Sequence, residues 1–239
     1  MLAIVILAAG KGTRMNSDLP KVLHRLRGKP LIAHVLKTAQ ELRPDRLLVV
    51  VGHGRGEVVK ELANTGAEWV VQEPQLGTGH AVQQTQGTLS GFEGEVVVLS
   101  GDVPLLKAVT LRRLIKAHRG TGASATVLSA RADDPADYGR IVRGAKGQFV
   151  RIVESREASP EEKAIREINS GIYCFRADDL FGALGRVKAD NSKGEYYLTD
   201  VVAILKEAGH VVQAYEFGEF REIRGINTSD DLSEAEGAG

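Results

Sequence analysis

A single cysteine, Cys174, stands among the 239 residues, so the chain can close no internal disulfide and cannot build a cysteine-based zinc site. The cytoplasm is the expected compartment. Charge of neither sign is in excess: 31 Lys and Arg balance 31 Asp and Glu. That leaves no global field to draw the chain onto nucleic acid or an anionic membrane, and no partner of either kind is expected. Aromatic residues make up 5%, too few for a platform that stacks the bases of a single strand. The six histidines, His24, His34, His53, His80, His118 and His210, show no tight ligand spacing and are not read as metal ligands. There is no internal repeat and no low-complexity stretch. Residues 2–9 form the first apolar run; no basic segment precedes them, and they are too few for a signal peptide or a membrane span. What is present, 43% hydrophobic and 26% charged residues, suits one large α/β domain able to bury a core.

Strand-like and helix-like segments alternate through the first part of the chain. "LAIVILAAG", "RLLVVVG", "AEWVVQ" and "EVVVLSGD" read as strands; "PLIAHVLKTAQEL", with Pro30 at the first helical position, "GRGEVVKELANTG", "GTGHAVQQTQGTL" and "TLRRLIKAHRG" read as helices. The strands are continuous apolar runs, as expected when both faces are buried, which predicts a mostly parallel sheet covered by helices. Ligands of such sheets bind beyond the carboxyl ends of the strands. The loops there are "AAGKGTR", "GHGRG", "QEPQLGTG" and "SGDVP". After about residue 130 the pattern changes within one compact unit. "YGRIVRGAKGQFVRIVES" reads as two strands joined at "GAKG", "PEEKAIREI" as a short helix, "INSGIYCF" as a strand and "EYYLTDVVAILKEAG" as a helix stopped by Gly209. "HVVQAYEF" and "REIRGI" read as strands, and "TSDDLSEAEG" as a capped helix.

"LAAGKGTRM" fits neither familiar phosphate loop. The Walker A pattern needs a glycine where Val5 stands and Ser or Thr where Gly12 stands; the dinucleotide fingerprint needs a glycine where Met15 stands. The chemistry remains that of an anion cradle. Ala8, Ala9, Gly10 and Gly12 are small enough to let a ligand approach the backbone, and Lys11, Arg14 and Lys21 add positive charge. An ordinary strand-to-helix turn with solvated charges would use the same residues. Asp102 ends a strand, where a carboxylate beside phosphates suits Mg²⁺, an ion that prefers oxygen ligands; a turn aspartate before Pro104 is the other reading.

With "LPKVL" downstream, the loop resembles the signature of the sugar-nucleotide pyrophosphorylases. "QLGTGHA", "GDVPL", "YGRIV", "IVE", "EINSGIY", "GEYYLTD" and "GIN" follow in the order seen in the uridyltransferase half of the bacterial bifunctional enzymes that make UDP-N-acetylglucosamine. The resemblance covers nearly the whole chain. It implies the nucleotide-diphospho-sugar transferase fold, with a Rossmann-like nucleotide-binding part up to about residue 130 and a small β-rich sugar-binding part over 131–239. It implies a reaction in which the phosphate of N-acetylglucosamine 1-phosphate attacks the α-phosphorus of UTP and pyrophosphate leaves. Asp102 and Asn227 would share Mg²⁺, although Asn227 could equally cap the "TSDDL" helix. Arg14 and Lys21 would hold the triphosphate, and Lys21 would also meet the attacking phosphate. Uracil would be read by the backbone at Ala9 and Gly10 together with Gln72, Gly77 and Thr78, with His80 either shaping that pocket or lying on a helix surface. The sugar would be held by Gly139, Glu154, Asn169 and Thr199. Tyr197 either packs on the acetyl methyl or belongs to the core. Ser100, before Gly101 and Asp102, is a position where relatives vary, and it limits any contact to a small hydroxyl.

The family's bifunctional members continue into a left-handed β-helix of hexapeptide repeats that acetylates glucosamine 1-phosphate. No such repeats occur in this sequence, so that activity is not expected; the chain is a portion of such an enzyme or a stand-alone uridyltransferase, and its oligomeric state is left open. A nucleotidyltransferase of the same fold for another sugar or nucleotide, or a non-catalytic nucleotide sensor, are the competing readings. Arg14, Lys21, Asp102 and Asn227 retained as a set speak against the sensor.

Overall fold

The structure is a computed structural model and describes residues 1–191 and 193–237. In chain order the elements are β1 (Leu2–Ala8), the two-residue strands β2 (Arg25–Leu26) and β3 (Lys29–Pro30), α1 (Leu31–Gln40), β4 (Arg46–Val51), α2 (Arg55–Leu62), β5 (Glu68–Val71), α3 (Thr78–Gln83), β6 (Glu95–Ser100), α4 (Ala108–Thr121), β7 (Ala125–Arg131), β8 (Arg140–Arg143), β9 (Phe149–Val153), α5 (Pro160–Lys163), β10 (Glu167–Arg176), α6 (Ala177–Leu184), α7 (Leu198–Glu207), β11 (Val212–Glu219), α8 (Phe220–Ile223) and α9 (Ser229–Gly237).

Nine strands form one sheet in the order β11-β7-β10-β6-β1-β4-β5, with β8 and β9 continuing from β10. Strands β6, β1, β4 and β5 are parallel, and β11 is parallel to β7; β10 runs antiparallel to β6, β7 and β8. The mostly parallel sheet expected from the sequence is therefore present. Its apolar runs have the expected cause. Along β1, Ile4 and Ile6 enter one core layer with residues of α1, α2 and α4, while Ala3 and Val5 enter the opposite layer with residues of α3, α6 and α7. Alternate residues pack on opposite faces, and both faces are covered, so each position is apolar. Each fully buried aliphatic side chain stabilises the fold by about 1.5–3 kcal/mol.

Several expectations need correction. Strand β5 lies at the sheet edge, and Trp69 is 49% exposed. Strand β7 and helix α6 escape the sequence reading: "ATVLSAR" is interrupted by Thr126 and Ser129, both fully buried, and "ADDLFGAL" is short. "REIRGI" is no strand. Its first half turns into α8, where Glu222 accepts a hydrogen bond from Thr110 (2.5 Å) and pairs with Lys107 (2.7 Å). Pro30 precedes helix α1 rather than opening it, and α3 and α5 are shorter than expected. No helix among the described residues is long and apolar enough to cross a membrane.

Candidate active site

The loop after β1 is shaped by Gly12. Its backbone is left-handed (φ 62°), and a Cβ there would lie 2.5 Å from the Cβ of Lys21. Glycine is required on both counts. The chain then makes a short 3-10 turn over Thr13–Met15, which buries Met15 and leaves Arg14 outside. A second 3-10 turn over Lys21–Leu23 buries Val22 and Leu23 and so aims Lys21 across the carboxyl end of the sheet. Ala8 and Ala9 are both buried in the core, leaving them only backbone atoms to offer a ligand; Ala9 already uses its carbonyl to accept from the His53 N–H (3.2 Å). Gly10 is exposed with open space about it, so nothing in the protein itself demands glycine there.

Lys21 meets the end of β6. Its ammonium donates to the Asp102 carboxylate and to Asn227 Oδ1 (3.1 Å), and the Arg14 guanidinium donates to the same Asn227 oxygen (2.9 Å). Asp102 is 7% exposed, so its charge is largely withdrawn from water and paired. The two segments are tied through the backbone as well, since the Ile226 N–H donates to the Asp102 carbonyl (2.9 Å). The alternative role for Asn227 is settled by its neighbours. Thr228 caps α9 through its hydroxyl, which accepts from the Asp231 N–H (3.1 Å), and Asp231 Oδ2 accepts from the N–H groups of Asn227 (3.0 Å) and Thr228 (2.9 Å). Helix α9 is thus capped without the Asn227 side chain, which accepts from Lys21 and Arg14 and donates to the Gly225 carbonyl (3.1 Å). Burial works to raise the Asp231 carboxyl, but those hydrogen bonds and Arg224 (2.8 Å) hold it below its ordinary value.

Gln72, at the end of β5, is 3% exposed. Its side-chain amide nitrogen donates to the Gly77 carbonyl (2.8 Å) and lies 3.2 Å from His80 Nδ1, while the Gln75 side-chain amide donates to the Gln72 backbone carbonyl (3.0 Å). His80 thus joins the Gln72 pocket rather than lying on an unrelated surface. Burial lowers its pKa, so the ring is neutral near pH 7 and can accept from Gln72. An open depression bordered by Gly52, His53, Arg55 and Gln75 adjoins this group. Ser100, at the end of β6 and partly exposed, pairs in register with Leu7, and Gly101 links it to Asp102.

The residues expected at the sugar end also gather. The Thr199 hydroxyl donates to Glu154 (3.2 Å), and the Asn169 N–H donates to the Gly139 carbonyl (2.8 Å). Asn169 sits where the register of β10 shifts against β7, and its amide donates to the Tyr173 hydroxyl (2.8 Å). Burial raises the Glu154 carboxyl, opposed by the Thr199 hydrogen bond. Tyr197 immediately precedes α7 and is partly exposed, so it is not a core aromatic.

Two neighbours, Asp200 of "GEYYLTD" and Tyr138 of "YGRIV", stand in motifs of the sequence that give them no role. Asp200 has a pKa pushed up to about 6, by burial first and then by Asp190, Glu157 and Glu154. The Tyr138 hydroxyl accepts from the Gly225 N–H (3.0 Å), which ties the segment before Gly139 to the one carrying Asn227. Only the fold reveals either role. Among the described residues no group of three or more His, Cys, Asp or Glu side chains could hold a metal. Asp102 and Asn227 offer two oxygen donors, and a small hard ion completes its shell with water and phosphate oxygens.

The sequence profile of the MobA-like NTP transferase domain matches residues 4–209. The chain is 49% identical over 232 residues to the bifunctional protein GlmU of Lactobacillus delbrueckii subsp. bulgaricus, an alignment covering 97% of this chain and 50% of that protein. It is 47% identical over 231 residues to GlmU of Enterococcus faecalis (97% and 50% covered) and 49% identical over 234 residues to GlmU of Shouchella clausii (98% and 51%). The chain spans about half the length of the curated relatives it matches. Two solved structures superimpose on it, each with a TM-score of 0.78 at 20% identity. One is UDP-glucose pyrophosphorylase complexed with UDP-glucose, covering 99% of this chain and 97% of that one; the other is a putative glucose-1-phosphate thymidylyltransferase from Bacillus anthracis, covering 100% and 95%. The fold is that of the nucleotide-diphospho-sugar transferases.

Proposed function

This chain belongs to the MobA-like NTP transferase domain family, and on that premise we propose that it is an N-acetylglucosamine-1-phosphate uridyltransferase, forming UDP-N-acetylglucosamine and pyrophosphate. The observation that carries the reading is the cluster in which Lys21 bridges Asp102 and Asn227 with Arg14 alongside. The identity to proteins named bifunctional GlmU selects the substrates.

A phosphate oxygen of N-acetylglucosamine 1-phosphate attacks the α-phosphorus of UTP. The new P–O bond forms as the bond from the α-phosphorus to the bridging oxygen breaks, and pyrophosphate leaves with that electron pair. Negative charge crowds onto phosphate oxygens in the transition state, so fixed positive charge and alignment supply the catalysis, with no covalent enzyme intermediate. Arg14 and Lys21 carry that charge, and Lys21 also draws in the attacking phosphate. The two oxygen donors, Asp102 and Asn227, suit Mg²⁺, which would neutralise phosphate oxygens when bound. The Ala9 and Gly10 backbone, Gln72, Gly77 and Thr78 face uracil. Gln72 already directs its amide N–H groups at Gly77 and His80, so its side-chain carbonyl is the end available to accept a base N–H. Gly139, Glu154, Asn169 and Thr199 bind the sugar. Residues up to about 130 thus serve mainly the nucleotide, and residues 131–239 mainly the sugar.

The test is pyrophosphate release with Mg²⁺, each nucleoside triphosphate and a panel of sugar 1-phosphates. UTP with N-acetylglucosamine 1-phosphate is expected to be the fastest pair. Turnover with a different pair and none with this one would reject the assignment, and no turnover with any pair would favour a nucleotide sensor.

A further inference from the structure

The loop after β5 and the segment before α7 are zipped together by three hydrogen bonds. The Tyr196 N–H donates to the Leu76 carbonyl (2.8 Å), the Gly79 N–H donates to the Tyr196 carbonyl (2.7 Å), and the Leu198 N–H donates to the Thr78 hydroxyl oxygen (3.0 Å). The approach leaves no room for side chains at two positions: a Cβ on Gly77 would lie 2.6 Å from the Tyr196 carbonyl oxygen, and one on Gly79 would lie 3.0 Å from it.

Of the three bonds, the third alone uses a side chain, and it falls at a telling place. Leu198 is the first residue of α7, and the residue in the N-cap position, Tyr197, makes no side-chain cap hydrogen bond. The first N–H groups of a helix have no partner inside it, and here one is satisfied by a threonine 120 residues earlier in the chain. One residue further on, Thr199 donates to Glu154. A hydroxyl in the nucleotide-side loop therefore fixes the helix end that presents the sugar-side pair.

We propose that Thr78 is a positioning residue for the sugar phosphate: its hydroxyl acts as the N-cap of α7 and thereby sets the placement of Thr199 against Glu154. This rests on the uridyltransferase reading, in which Thr78 otherwise faces only uridine. It makes the loop that meets the nucleotide also the brace of the sugar pocket.

Thr78→Val keeps the shape and removes the acceptor; Thr78→Ser keeps the acceptor. Thr78→Val is expected to raise KM for N-acetylglucosamine 1-phosphate about fivefold, the factor corresponding to a lost cap of about 1 kcal/mol. KM for UTP should rise by a smaller factor, since Thr78 also faces uracil, and Thr78→Ser should restore both values. Amide hydrogen exchange over residues 198–201, measured without substrate, should be faster in Thr78→Val alone. A rise in KM for UTP with the sugar phosphate unaffected would overturn the proposal, as would unchanged exchange in Thr78→Val. If the wild-type protein turns over a different substrate pair, the reaction assignment fails, and the exchange comparison still decides the role of Thr78.

Discussion

Lys21, Asp102 and Asn227 are widely separated in sequence and share one small volume. Lys21→Ala and Asp102→Ala are each expected to lower kcat at least about 10²–10³-fold, the range for loss of one preorganised charge-stabilising group, with far-UV circular dichroism unchanged. Near-wild-type turnover in either variant would show that the phosphate or metal assignment is wrong. Asp200 gives a second residue-scale prediction. Its native pKa of about 6 lies above the ordinary 3.8, so the native state holds a proton that the unfolded chain has released between those values. Stability from this group therefore falls as pH rises from about 4 to 6. Asp200→Asn should raise Tm most at pH 7–8, and the advantage should shrink through pH 6 and vanish below about pH 4; a constant difference across that range would contradict the assignment. Little of this is legible from residue types. Gly12 and Arg14 stand in a recognisable motif, but Tyr138 and Asp200 gain their surroundings only when remote segments meet. The two readings of Asn227 could be separated only once Thr228 and Asp231 were seen to cap α9 between them.

At the scale of elements, α9 is the support of Asn227. Asp231 holds two N–H groups at its start, and Arg224 braces both Asp231 (2.8 Å) and Glu234 (2.6 Å). Asp231→Ala is expected to remove about 1 kcal/mol of capping, a drop in Tm of about 2–4 °C for a chain of this size, and to lower turnover with it. A fall in Tm with full turnover would mean that Asn227 is held in place by other contacts. The strands β1, β4 and β6 were readable because burial on both faces makes every position apolar. Strand β7 was hidden by buried polar residues that find partners in the fold, such as Ser129, whose hydroxyl donates to Glu167 (2.6 Å). "REIRGI" does not alternate, its apolar residues Ile223 and Ile226 standing three apart, and its first half enters a helix in which Glu222 is buried and paired.

In the whole molecule, one continuous sheet carries both halves of the site. The antiparallel strand β10 joins β6, which delivers Asp102, to β7, and itself carries Asn169; the last segment of the chain returns Asn227 to the same edge. The change of pattern near residue 130 marks a change in the sheet's connections, not a break in it. That edge was legible from the polar loops that follow the apolar strands. The return of the C-terminal segment was not, because its contacts are long-range. The account's central claim is that this edge directs attack to the α-phosphorus of UTP. The direct measurement follows label from [α-³²P]UTP and, separately, [γ-³²P]UTP after incubation with Mg²⁺ and N-acetylglucosamine 1-phosphate. The account predicts α-label in UDP-N-acetylglucosamine and γ-label in pyrophosphate; γ-label transferred to the sugar, or released as inorganic phosphate with no nucleotide sugar formed, would contradict it.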